Sequence, residues 1–116
     1  MKTILVVEDD DRIREYLYEL LRNSYHVVLA TDGLEGWQVL TRGIQPDLVI
    51  TDHDMPHLNV AELIKKIKDE TAYTMPIILY TGHDPNELDV DFNTVTYLSK
   101  SADPYEIESV VERVIS

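Results

Sequence analysis

Four short apolar runs, at residues 4–7, 27–30, 48–51 and 77–80, show no alternation of polar and apolar positions. A strand with one wet face alternates. An uninterrupted run of this length suits a strand covered on both faces, as in a parallel sheet between helices. A fifth, weaker run occupies residues 95–98. Between the runs the apolar spacing turns helical. Ile13, Leu17, Leu20 and Leu21 share one face, as do Val60, Leu63, Ile64 and Ile67, and Ile107, Val110, Val111 and Val114. The stretch around Leu34, Trp37 and Leu40 reads as a shorter helix. Strands alternating with helices fold into an α/β, doubly wound arrangement with right-handed crossovers.

Start signals agree with this division. Asp103-Pro104 supplies a capping carboxylate and then proline at the first helical position, with Glu106 placed to complete a capping box. Asp84-Pro85 with Glu87 repeats that pattern, and Asn59 with Glu62 gives a proline-free version. One of Asp9 and Asp10 is expected to cap the helix starting near Asp11, and Gly33 and Gly43 to punctuate loops.

At 116 residues the chain is expected to form a single domain, residues 1–116. No apolar run reaches the roughly eighteen residues a membrane span needs, and no cleavable leader is evident after Met1. Cysteine is absent, which removes disulfides and thiolate metal ligands and makes the cytoplasm the expected compartment. Ten basic against twenty-two acidic residues give a net charge of −12. Binding to a phosphate backbone depends on clustered Lys and Arg releasing counterions, so direct nucleic-acid binding is not expected.

Ligands of open α/β sheets sit outside the carboxyl ends of the strands, near the switch in strand order. Glu8, Asp9 and Asp10 follow the first run, Asp52 the third, Thr81-Gly82 end the fourth, and Ser99-Lys100 end the fifth. Each has an ordinary explanation alone: a helix cap, a turn into Met55-Pro56, a strand-end hydroxyl, a solvated lysine. Together they supply one reaction. Crowded carboxylates repel unless a cation intervenes, and oxygen donors without His or Cys suit a hard ion such as Mg²⁺. A carboxylate beside such an ion can attack phosphorus, while an ammonium neutralises the phosphoryl oxygens.

The motifs Ile4-Leu5-Val6-Val7-Glu8-Asp9-Asp10, Pro46-Asp47-Leu48-Val49-Ile50-Thr51-Asp52, Asp54-Met55-Pro56, Pro76-Ile77-Ile78-Leu79-Tyr80-Thr81-Gly82 and Tyr97-Leu98-Ser99-Lys100 resemble the receiver domain of response regulators. The resemblance covers essentially the whole chain. It implies a flavodoxin-like doubly wound five-stranded parallel sheet of order 2-1-3-4-5. It also implies Asp52 as phosphoacceptor, and Mg²⁺ held by Asp9, by Glu8 largely through water, by Asp52 and by the backbone carbonyl of Asp54. Thr81 and Lys100 would contact the phosphoryl group, Thr81 and Tyr97 would form the switch, and Asp54 and His83 would tune hydrolysis. The implied partners are a histidine kinase or histidine phosphotransfer protein and an unknown downstream target.

Three departures stand out. Ser101 replaces the usual proline, the third helix lacks its opening glycine around Leu58-Asn59-Val60, and the segment between Gly82 and Thr94 is shorter than usual, with residues 84–94 poor in helix formers. A shortened or irregular fourth helix is therefore expected there, together with a monomer that has no output domain. A receiver-like module that is never phosphorylated and a Mg²⁺-dependent phosphatase using Asp54 as general acid are the competing readings.

Overall fold

The computed structural model describes residues 1–53, 60–70, 75–88 and 95–116. Five strands form one parallel sheet: β1 (Thr3–Val7), β2 (His26–Ala30), β3 (Leu48–Thr51), β4 (Ile77–Thr81) and β5 (Thr96–Ser99). Their order is β2-β1-β3-β4-β5. This is the flavodoxin-like arrangement, with its switch in strand order between β1 and β3. Four α-helices lie among the described residues: α1 (Asp11–Leu21), α2 (Gly33–Thr41), α3 (Val60–Glu70) and α4 (Pro104–Ile115). None is long and apolar enough to cross a membrane.

Unbroken apolar strands serve two cores because successive side chains point to opposite faces. Leu5, Val7, Val49, Ile77 and Leu79 pack with Val39, Leu40, Leu63 and Ile67 beneath α2 and α3. Ile4, Val6, Leu48, Ile50, Ile78 and Tyr80 pack with Leu17, Leu21, Ile107, Val111 and Ile115 beneath α1 and α4. At Gly36 in α2 a side chain would meet Val7 Cγ2 at 3.0 Å, so glycine lets that helix lie close on β1.

Capping places the helices. Asp10, rather than Asp9, caps α1, its Oδ1 accepting the backbone N–H of Arg12 and Ile13 at 2.9 and 3.3 Å. Asp32 caps α2 by accepting from Glu35 N–H, while the Glu35 carboxylate accepts from Thr31 N–H. Gly33 is thus the first residue of α2 and buried, not part of a loop; only Gly43 of the two punctuates one, at φ 90°. Asp103 accepts from Glu106 N–H at 2.8 Å, with Pro104 opening α4. At the other end of α4, Lys2 Nζ donates to the Ile115 carbonyl at 2.7 Å.

Asp84 accepts from Asn86 N–H, but the turn it starts is a three-residue 3-10 helix, Pro85–Glu87. The remainder of the expected fourth helix, residues 89–94, lies outside the described residues, as do Asp54 and the Asn59 cap. β5 begins at Thr96, one residue later than its apolar run, because its pairing runs from Ile78↔Thr96 to Thr81↔Ser99. Val95 is nevertheless buried.

Candidate functional site

Backbone hydrogen bonds carry the sheet's order past the strand ends. Glu8 N–H donates to the Ala30 carbonyl and Asp52 N–H to the Val7 carbonyl, both at 3.0 Å, and Lys100 N–H donates to the Thr81 carbonyl at 2.9 Å. The tips of β1, β3, β4 and β5 are therefore held in register where their polar side chains leave the sheet.

Three carboxylates gather there. Glu8, Asp9 and Asp52 each offer an oxygen within 4.8 Å of the others. Asp9 is exposed, whereas Glu8 and Asp52 are 1% and 7% accessible. The Lys100 ammonium reaches between the buried pair, 2.8 Å from Glu8 Oε1 and 3.2 Å from Asp52 Oδ1. Asp52 Oδ1 also accepts the backbone N–H of His53 at 2.8 Å. Arg14, on α1, donates to the Glu8 carbonyl at 2.9 Å and pairs with Asp11, bracing the acidic turn.

One cation cannot balance this cluster. Burial pushes the Glu8 carboxyl up to about 7; the hydrogen bond from Lys100 opposes this, and the Asp52 carboxylate adds to it. Burial pulls the Lys100 ammonium down, but its bond to Glu8 and the nearby Asp52 charge outweigh it and hold its pKa above the usual lysine value. Glu8 Oε2 is buried with no hydrogen-bond partner among the described residues. An orphaned buried carboxylate oxygen costs free energy unless something positive meets it. Three oxygen donors with one orphan fit a hard divalent ion and make a poor site for a softer one.

Thr81 is fully buried at the β4 tip, where its Oγ1 accepts His83 N–H at 3.1 Å. The Tyr97 hydroxyl donates to the His83 carbonyl at 3.2 Å, tying β5 to the loop after β4. The structure thus brings Glu8, Asp9, Asp52, Thr81 and Lys100 to one end of the sheet, with Tyr97 and His83 joined beside them. Asp54 falls outside the described residues.

Sequence reading missed three features here. The Tyr80 ring, 4% accessible, lies 5.9 Å from the Lys100 ammonium, near enough for a cation–π contact. His53 meets His83 edge to face, with ring centres 5.6 Å apart. Lys100 pairs directly with Glu8, which only the folded register reveals. An aromatic closing an otherwise aliphatic run was the available signal for Tyr80; the other two had none.

Sheet order and strand-tip carboxylates together define an acidic-site α/β domain of the doubly wound class. A family model described as the response regulator receiver domain matches residues 4–112, and the chain belongs to that family. It is 37% identical, over 97% of its length, to hybrid signal transduction histidine kinase D of Dictyostelium discoideum, of which it spans 7%. It is 38% identical to a chemotaxis protein CheY homolog of Campylobacter jejuni, over 67% of this chain and 62% of that protein. It therefore covers less than two thirds of either relative. Among solved structures, a response regulator receiver domain protein from Clostridium thermocellum superposes with a TM-score of 0.86 at 27% identity, covering 99% of this chain and 94% of that one.

Proposed function

We propose that Asp52 accepts a phosphoryl group from the phosphohistidine of a histidine kinase or phosphotransfer protein, and that this modification switches the binding of a downstream protein. The observation that carries the reading is Lys100, whose ammonium lies 3.2 Å from Asp52 Oδ1 and 2.8 Å from Glu8 Oε1 at the sheet's switch point. An Asp52 carboxylate oxygen attacks phosphorus, a new P–O bond forms, the donor's P–N bond breaks, and the imidazole leaves with its electron pair and takes a proton.

Asp9, Asp52 and the Asp54 carbonyl would hold Mg²⁺, with Glu8 acting through water, and the bound ion would supply charge neutralisation at the phosphoryl group. Lys100 exchanges its carboxylate contacts for phosphoryl oxygens, and the Thr81 hydroxyl donates to the same group. Thr81 and Tyr97 then report the change through the loop at His83. His83, with Asp54, sets how readily water reaches the acyl phosphate.

On this reading residues 1–116 form one receiver domain, working in the cytoplasm as a monomer. It is a signalling phosphoacceptor that assists its own modification, not an enzyme acting on a pool of substrate. The net charge of −12 argues against binding to a phosphate backbone. Incubation with acetyl phosphate and Mg²⁺, followed by intact mass, should show one added phosphoryl group labile to hydroxylamine. Asp52→Asn should abolish it; an unmodified wild-type chain would instead support a module that binds without phosphorylation.

A further inference from the structure

The turn that carries Lys100 is closed on itself by side chains. β5 ends at Ser99, and Ala102 N–H donates to the Ser99 carbonyl at 3.0 Å, completing a four-residue turn with Lys100 and Ser101 in its middle. Inside this turn Ser99 Oγ accepts the backbone N–H of Ser101 at 3.1 Å. The two hydroxyls also meet, Oγ to Oγ, at 2.7 Å. A serine that binds the backbone two residues on imposes a local turn geometry of its own.

This chain has serine at 101, where the resemblance implies proline. Proline would fix φ through its ring and remove the N–H. Serine does neither, and the retained N–H is the group that Ser99 accepts. No cis peptide occurs among the described residues. The hydroxyl pair therefore adds a side-chain restraint to the backbone bonds of a turn that has no ring to stiffen it.

That restraint bears on the lysine between the two serines. A lysine ammonium sits on a flexible four-carbon stem, so its position depends on a fixed Cα and on its contacts. The Lys100 backbone is anchored on one side by its bond to Thr81, and the clasp fixes the turn on the other.

We propose that Ser99 and Ser101 are positioning residues for Lys100: their hydroxyl clasp holds the turn so that the ammonium meets the phosphoryl group on Asp52. This rests on the reading of Asp52 as phosphoacceptor. Neither serine touches the reacting atoms. The clasp is partly exposed to water, so its loss loosens the turn without unfolding the domain, and it acts on rate.

The test is the initial rate of phosphorylation by acetyl phosphate at saturating Mg²⁺, read by intact mass, in the full chain. Ser99→Ala and Ser101→Ala should each slow it about three- to tenfold. The double variant should be no slower than Ser99→Ala, which already removes both the hydroxyl pair and the acceptor of the Ser101 N–H, and Ser101→Thr should keep the wild-type rate. Mg²⁺ affinity, titrated with the metal alone, should stay within about twofold throughout, because carboxylates hold the ion. Single variants as fast as wild type would overturn the clasp, as would multiplicative losses in the double variant or a loss of rate that tracks Mg²⁺ affinity. If the wild-type chain takes no phosphoryl group, the Asp52 reading fails first, and that result is separate from any difference among serine variants.

Discussion

Replacing Glu8 by glutamine should stabilise the metal-free domain while weakening its cation site. At about 1.4 kcal/mol per tenfold change, raising the Glu8 carboxyl from 4.5 to about 7 means the fold prefers its neutral form by roughly 3 kcal/mol. The sign follows from proton binding. Below pH 4.5 the carboxyl is protonated whether the chain is folded or not, and nothing is lost. Between 4.5 and about 7 the folded chain keeps a proton that the unfolded chain has released, so stability falls as pH rises. Above that window the whole penalty is present. Glutamine never ionises; its carbonyl can still accept from Lys100, and its amide puts a donor where Oε2 has no partner. In EDTA at pH 8, Glu8→Gln should be more stable by about 2–3 kcal/mol, raising the thermal midpoint by roughly 10 °C for a domain of this size. Near pH 4.5 the two proteins should melt together. Thermal unfolding by circular dichroism at both pH values, with a Mg²⁺ titration at pH 8, is the assay. A glutamine variant less stable than wild type at pH 8, or a gap of equal size at both pH values, would refute the reasoning.

Asp9→Ala should weaken Mg²⁺ binding by about tenfold or more, and by more than Glu8→Ala, because Asp9 is exposed and directly available whereas Glu8 is engaged by Lys100; calorimetric titration measures both. Gly36→Ala should gain about 1 kcal/mol in helix propensity yet lose about 1–3 kcal/mol by pressing on buried Val7, a net destabilisation in urea unfolding. In a Val7→Ala background the same change should turn neutral or stabilising. Ile107→Ala, which empties a fully buried position under α4, should cost about 2–5 kcal/mol in the same assay.

The sheet was legible because burial on both faces leaves an unmistakable mark: residues 4–7 and 48–50 have no polar position to alternate with. Helix starts were legible where a carboxylate stands before the first turn, as at Asp103, whose side chain accepts from Glu106 N–H. Strand limits were less so. Pairing with β4, not hydropathy, decides where β5 begins, which is why Val95 is buried yet precedes it. Gly33 looked like a loop residue because glycine so often is one, but Asp32 caps directly onto it. The residues of the site could be picked out by type and by their place at strand ends. Their mutual arrangement could not, because Lys100 meets Glu8 across 92 positions of chain, a contact that exists only once β1, β3, β4 and β5 lie in register.

Lys2 holds the last turn of α4 through the Ile115 carbonyl, so residues 2 and 115 are neighbours in space. The carboxylates and Lys100 lie at the opposite pole, where the strands end. Polypeptide joined at either extremity would therefore leave from the floor of the domain and never cross its mouth. A module wired in this way can be spliced into a much larger chain; the stretch of the Dictyostelium kinase that this chain resembles is 7% of that protein. It also suits circular permutation: a short linker between residues 2 and 115, with new ends opened in a surface loop far from Asp52, should leave the chemistry intact.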